Sequence, residues 1–222
     1  MTDAIISLSG GQDSTTCLSW AKSNFNDVYA ISFDYGQKHK IELDCAKKIC
    51  EIADVKDHFI IKIDELFNEI SITDNAMINP EKNVNDQHKI FKNLPATFVP
   101  FRNLFLLSIA AAKGLDYGVN NIVTGICQTD FSGYPDCRNS FKESLQETLS
   151  LAIDYSVIIH TPLMYLTKAQ TVKYMEKMGN LNWYKYTHTC YNGQKPPCLE
   201  CPACKLRQKG FEEAELKDPL FD

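Results

Sequence analysis

A chain of 222 residues is long enough to fill one core and short for two full domains. Hydrophobic residues make up 44% and charged ones 23%, the mix of an ordinary globular protein. With a net charge of −5, nothing in the global balance argues for wrapping a polyanion, though local basic patches could; no direct nucleic-acid partner is expected.

Residues 4–8 are apolar and run into glycines, which reads as a buried strand. Ser9-Gly10-Gly11-Gln12-Asp13-Ser14 follows, and then Cys17, Leu18 and Ala21 at helical spacing predict a helix to about residue 23. A strand–glycine loop–helix turn aims backbone N–H groups and the positive end of a helix dipole at one spot, which suits a phosphate. Gly10 and Gly11 admit a close ligand and positive φ. Ser9 and Ser14 add hydroxyl donors, and Asp13 is placed to hold a magnesium ion beside the phosphates. No lysine follows the glycines, so this is not a Walker A loop, and it is not G-x-G-x-x-G either. A plain Ser/Gly turn with an N-cap serine is the alternative.

A second strand is expected at 28–33, running into Asp34-Tyr35-Gly36-Gln37-Lys38-His39. A helix over about 40–53 would bury Ile41, Cys45, Ile49 and Ile52, and 59–63 reads as a third strand. Residues 68–97 are polar and turn-rich, as expected of a lid, a binding loop, a partly disordered segment or a passive surface loop. Residues 104–113 are apolar nearly all round and predict a buried helix. A fourth strand at 121–124 leads into a polar and aromatic loop over 125–139. Phe141, Leu145, Leu149 and Ala152 form the stripe of the next helix, and 157–159 is a fifth strand. Thr167 and Gln170 make a capping box ahead of a further helix. Strands alternating with helices imply an α/β fold, a parallel sheet with helices on both faces. The chemically rich loops follow strands one, two and four, the end where such sheets bind ligands.

Nine cysteines cluster unevenly. Cys190, Cys198, Cys201 and Cys204 can close a tetrahedron of thiolates around zinc, with no open position and hence a structural role. A four-cysteine iron–sulfur cluster is the competing reading, and disulfides a weaker one. Cys17, Cys45, Cys50 and Cys127 read as small core residues, Cys137 as structural or adjacent to substrate, and His188 as a neighbour of the metal rather than a ligand. Two regions are expected: a nucleotide-binding body over 1–180 and a metal-binding region over 181–222 packed on it. The N-terminus lacks a basic segment before its short apolar run, so no secretory leader is read there. No stretch approaches the ~20 apolar residues of a membrane helix, and a cytoplasmic location is expected.

S-G-G-x-D-S resembles the loop of the ATP pyrophosphatase (PP-loop) superfamily, which implies a Rossmann-like, adenine nucleotide alpha hydrolase-like sheet. Further stretches narrow the resemblance: L-S-G-G-Q-D-S-T-T-C-L at 8–18, F-D-Y-G-Q-K-H at 33–39, V-P-F-R-N at 99–103, T-G-I-C-Q-T-D-F-S-G-Y-P-D-C-R at 124–138, T-P-L-M at 161–164, and the four late cysteines. Together they resemble the 7-cyano-7-deazaguanine synthase family of the queuosine pathway. Phe101 stands where that pattern leads one to expect a small residue. The resemblance implies ATP-driven conversion of 7-carboxy-7-deazaguanine and ammonia to the nitrile, through an adenylated acid and an adenylated amide. It implies an ATP site at Leu8, Ser9, Gly10, Gly11, Gln12, Asp13, Ser14, Thr15, Thr16, Cys17 and Leu18, with magnesium. It makes Asp13, Lys38, His39, Arg102 and Lys168 candidates for phosphate and catalytic work. Asp130, Phe131, Tyr134, Asp136 and Arg138 become candidates for holding the deazaguanine, and a homodimer is implied. A sulfurtransferase acting on tRNA and a nucleotide-binding zinc module are the rival readings.

Overall fold

The computed structural model describes residues 2–36, 41–69, 76, 83–129 and 133–221. Five parallel strands, β1 (Ala4–Ser7), β2 (Val28–Asp34), β3 (Asp57–Lys62), β4 (Asn121–Val123) and β5 (Ile158–His160), lie in the order β3-β2-β1-β4-β5. Successive residues of a strand face opposite sides, so Ile5 and Ile6 enter different cores. On one face Ile5, Ile31 and Ile122 pack against Leu107 and Ala110 of α4 (Arg102–Leu115) and Leu145 of α5 (Asn139–Ile153). On the other, Ile6, Ala30 and Val123 pack against Leu18 of α1 (Gln12–Asn24) and Ala46 and Ile49 of α2 (Ile41–Ala53). Each such aliphatic side chain is worth about 1.5–3 kcal/mol of burial. The expected parallel sheet with helices on both faces is therefore present.

Details differ from expectation where packing overrides hydrophobicity. α2 turns Leu43, Ala46, Ile49, Cys50 and Ala53 inward, leaving Ile52 at the surface. The helix approaches the loop closely at Gly10, where an added Cβ would sit 2.8 Å from the Ala46 amide, and the residue it turns inward there is an alanine. The stripe of α5 ends at Leu149, and Ala152 is exposed. A short helix not foreseen, α3 (Asp64–Glu69), opens the polar insertion. Of that insertion, 70–75 and 77–82 lie outside the described residues. Val84 and Ala96 share a small core with Cys190, Cys201 and Cys204, so the described part packs against the cysteine cluster. No described helix is long and apolar enough to cross a membrane.

α4 begins awkwardly. Phe101, its N-cap, adopts φ 62° and ψ 7°, a left-handed conformation, and the residue is 62% exposed. A bulky L-residue there costs about 1–2 kcal/mol, which a glycine avoids. Phe101→Gly is therefore expected to raise stability by about 1 kcal/mol in urea denaturation; a loss would mean that the ring contributes more than the strain takes away.

Candidate active site

The strand order reverses between β1 and β4, and a cleft of about 290 Å³ opens at the carboxyl ends of β1, β2 and β4. A crevice is expected at such a switch point. Its floor is the loop after β1. Gly10 takes φ +82°, and its Cβ position lies 2.3 Å from the Glu42 carbonyl oxygen, so no larger residue fits. The Ser9 hydroxyl meets the Ser14 hydroxyl at 3.0 Å and accepts from the Gly11 amide at 3.3 Å. Gly11 caps α1 without a side chain, leaving first-turn amides of that helix for a ligand. From the other side, a Cβ on Gly125 would come within 3.0 Å of the Ser14 amide, so the loop after β4 lies flat against the start of α1. Gln12 is buried in the cleft wall, and neither atom of its amide makes a hydrogen bond among the described residues. Buried amides without partners are rare, and one in a cleft marks where a polar ligand belongs.

Lys168 reaches the same floor from the start of α6 (Lys168–Lys177), donating to both Asp13 carboxylate oxygens at 2.7 Å. The expected capping box holds this helix start: Thr167 Oγ1 accepts from the Gln170 amide at 3.2 Å, and Gln170 Oε1 accepts from the Thr167 amide at 2.8 Å. Behind Lys168 stands Gly210 of α7 (Pro202–Ala214), whose Cβ position lies 2.5 Å from Lys168 Cγ and 3.0 Å from its Cβ. Gly210→Ala is thus expected to push Lys168 off Asp13. Overpacking should cost about 1–3 kcal/mol of stability, and misplacement of the ammonium should lower kcat/KM for ATP by about tenfold. Wild-type ATP kinetics in that variant would show that α7 yields instead.

Arg102 and Tyr134 line the opposite wall. Burial works against the charge of Arg102, but Tyr35, Tyr134, Asp136 and Cys137 around it more than offset this and keep it protonated. Burial pushes the Tyr35 hydroxyl up to about 12. Tyr134 shares a hydrogen bond with Thr97 at 2.5 Å, and its ring packs on Phe98. Asp136 is buried and caps α4 from outside that helix. Its Oδ2 accepts from the Asn103 amide at 3.1 Å, while Oδ1 makes no hydrogen bond among the described residues. Arg138 is exposed at the start of α5. Cys127 and Cys137 line the cleft, Cys137 accepting from Asn103 Nδ2 at 3.4 Å. Lys38, His39, Asp130 and Phe131 lie outside the described residues.

Two charged cleft residues were not foreseen. Glu42, in the first turn of α2, is pushed up to about 7 by burial, against the pull of Arg102. Arg207 of α7 is buried, forks onto Asp218 at 2.6 and 2.7 Å, and donates to Thr187 Oγ1 at 2.7 Å and to the Tyr184 carbonyl at 3.2 Å. Tyr184 in turn meets Thr16 of α1 at 2.6 Å. The last helix is thereby tied to the helix that opens the phosphate loop.

At the N-terminal end of α7, the Sγ atoms of Cys190, Cys198, Cys201 and Cys204 lie within 4.8 Å of one another. Cys198 and Cys204 are 3.9 Å apart, close to the ~3.8 Å edge of a tetrahedron with metal–sulfur bonds of about 2.3 Å. Burial disfavours a thiolate at Cys198, yet the amides of Cys201 and Glu200 outweigh it and bring that thiol down to about 6. His188 Nε2 turns to the Cys190 carbonyl at 3.0 Å. This donor set fits a metal ion.

Comparison with known proteins places the chain among relatives of matching length. It is 48% identical to 7-cyano-7-deazaguanine synthase of Chromobacterium violaceum, over 99% of this chain and 93% of the relative. The enzyme of that name from Clostridium acetobutylicum is 49% identical, over 95% and 93%. Among solved structures, a 4-thiouridine synthetase–RNA complex with bound ATP superposes with a TM-score of 0.51 at 15% identity, over 96% of this chain and 50% of that one. That likeness concerns the fold alone. The family model for the queuosine biosynthesis protein QueC matches residues 3–215, spanning the phosphate loop, both cleft walls and all four late cysteines. The chain belongs to the QueC family.

Proposed function

We propose that the chain is an ATP-dependent carbon–nitrogen ligase that converts 7-carboxy-7-deazaguanine and ammonia to 7-cyano-7-deazaguanine in queuosine biosynthesis. The observation that carries this reading is the cleft at the switch point, where the glycine loop, the open first turn of α1, Lys168 and Arg102 converge. A carboxylate is a poor electrophile. Attack of its oxygen on the α-phosphorus of ATP releases pyrophosphate and leaves AMP as a leaving group that ammonia displaces. The amide oxygen is adenylated in its turn, and loss of that oxygen with AMP gives the nitrile.

Residues 8–18 bind ATP in this reading, with pyrophosphate on the amides of the loop, whose fixed dipoles stabilise the charge as it develops. Lys168 moves from Asp13 to the phosphates, and Asp13 is the residue that would hold magnesium. Magnesium bound with ATP supplies charge neutralisation there. Arg102 pairs with the substrate carboxylate, because a guanidinium fork matches its two oxygens. Tyr134 offers a ring for the deazapurine, and Asp136 serves by holding Arg102 and the start of α4 in place. Asp130, Phe131, Lys38, His39 and Arg138 remain candidates on the resemblance of their motifs. Zinc is the ion proposed for the four cysteines, with a structural role since protein fills every position. Residues 1–180 form the catalytic body and 181–222 a region that props it, a division supported by the Gly210–Lys168 contact and the Arg207 network. A homodimer and a cytoplasmic location belong to the same proposal, supported by family resemblance.

Purified protein incubated with magnesium-ATP, ammonium and 7-carboxy-7-deazaguanine should yield the nitrile by mass spectrometry, with AMP and pyrophosphate. ATP cleavage without nitrile would move the substrate elsewhere. Absence of both would overturn the ligase reading.

A further inference from the structure

A route from acyl adenylate to nitrile sheds protons at nitrogen. Near neutral pH ammonia is mostly ammonium, which must lose a proton before its nitrogen can attack carbon. Later, the imidate made by the second adenylation must lose its last N–H proton as the carbon–oxygen bond breaks. Lys168 and Arg102 are cations and accept neither.

Most of the other titratable side chains lining the cleft, among the described residues, are engaged elsewhere. Asp13 is held by Lys168 through both oxygens. Tyr35 and Tyr134 are pushed up by burial and are neutral at working pH. His188 is buried with Nε2 against a backbone carbonyl. The thiol of Cys127 lies against the Thr129 hydroxyl at 2.9 Å and the Leu166 carbonyl at 3.5 Å, and that of Cys137 against the Asn103 amide. Glu42 differs. Its backbone abuts the phosphate loop at Gly10, its side chain lines the cleft beside Tyr35 and Arg102, and among the described residues no hydrogen bond or ion pair closes on its carboxylate. The charged and titratable groups that face it are Arg102 from α4, Tyr35 from the end of β2, and Cys45 on its own helix; Lys38, His39 and Lys40 lie outside the described residues.

We propose that Glu42 is the general base of the reaction, accepting the protons shed by the reacting nitrogen. The inference rests on the ligase reading above. In the first cycle the carboxylate takes a proton from ammonium and hands it to water, the freed pair on nitrogen bonds to the acyl carbon, and Glu42 takes one of the three N–H protons of the adduct as AMP leaves with the electron pair of the carbon–oxygen bond. Glu42 then returns that proton to water. In the second cycle adenylation of the amide oxygen leaves nitrogen with two N–H protons; Glu42 takes one and hands it to water, then takes the last, the N–H pair becomes the third carbon–nitrogen bond, and AMP departs again. A carboxyl held near 7 suits both halves of this traffic, since it accepts and releases protons with little bias.

Glu42→Gln keeps the shape and removes the basicity. It is expected to lower kcat for nitrile formation by about 10²-fold, while substrate-dependent exchange of labelled pyrophosphate into ATP continues at the wild-type rate. The wild-type kcat should show an acid limb near pH 7, and this limb should vanish in the variant. Hydroxylamine, already uncharged near neutral pH, should restore acyl transfer in the variant as the hydroxamate, and Glu42→Asp should keep partial activity with ammonia. An equal fall in exchange and in nitrile formation, or an acid limb that persists in Glu42→Gln, would overturn the assignment while leaving the ligase reading standing. A wild-type protein that makes no nitrile would overturn both.

Discussion

Lys168→Met is expected to lower kcat/KM for ATP by about 10²–10³-fold, the scale of losing one charged group aimed at a developing oxyanion. The methionine keeps the alkyl stem that fills the space left by Gly210, so packing against α7 survives. What disappears is the ammonium, and Asp13 is then left facing a polyphosphate with its negative charge uncompensated. Removing one partner of a fully buried pair is strongly destabilising, but the Asp13 side chain is 26% exposed, so water tempers the cost. Stability should therefore fall by only about 1 kcal/mol, read by urea denaturation beside the steady-state rates. Full ATP turnover in this variant would take Lys168 out of the phosphate site and make its pair with Asp13 a structural one.

Loss of the metal should be the larger blow to stability. Cys201→Ser removes a buried sulfur from the cluster, and the small core around the cluster has little to replace it: it consists of Ala76, Val84, Ala96, Ala203 and the cysteines themselves, with Tyr191 half-buried beside them. The variant is expected to purify without zinc and to melt at least ~10 °C lower, at about 2–4 °C per kcal/mol for a chain of this size. Activity should fall with it. α7 starts among these ligands, and through Gly210 and the Arg207–Tyr184–Thr16 chain it braces both Lys168 and the helix behind the phosphate loop. Metal analysis by mass spectrometry and a thermal melt read both effects. A zinc-free variant with wild-type melting and turnover would separate the cluster from catalysis.

The phosphate loop and the cysteine cluster were legible because their chemistry is contiguous in the chain. Six residues make the loop, and three of the four thiolates lie within one turn-and-helix start. The capping box of α6 was legible for the same reason. Features assembled from distant segments were not. Nothing near Arg207 announces that Asp218 and Tyr184 will enclose it, and Asp136 caps a helix that begins 34 residues earlier, at Arg102. Cys127 reads as a core residue because it is apolar in context, yet the fold brings it to the cleft wall. Nothing in the sequence marks Glu42, since a glutamate in a first helical turn is ordinarily explained by the helix dipole. The buried face of α2 was misjudged on hydrophobicity, since Ile41 and Ile52 outrank Ala46 by that measure. The close contact with Gly10 falls at the smaller residue instead.

Heavy oxygen tests most directly whether the cleft transfers AMP to the substrate oxygen. 7-Carboxy-7-deazaguanine labelled in both carboxylate oxygens, turned over with ammonium and ATP, should yield an unlabelled nitrile and two molecules of AMP, each carrying one labelled oxygen. Label in inorganic phosphate, or AMP without label, would mean that the carboxylate does not attack the α-phosphorus.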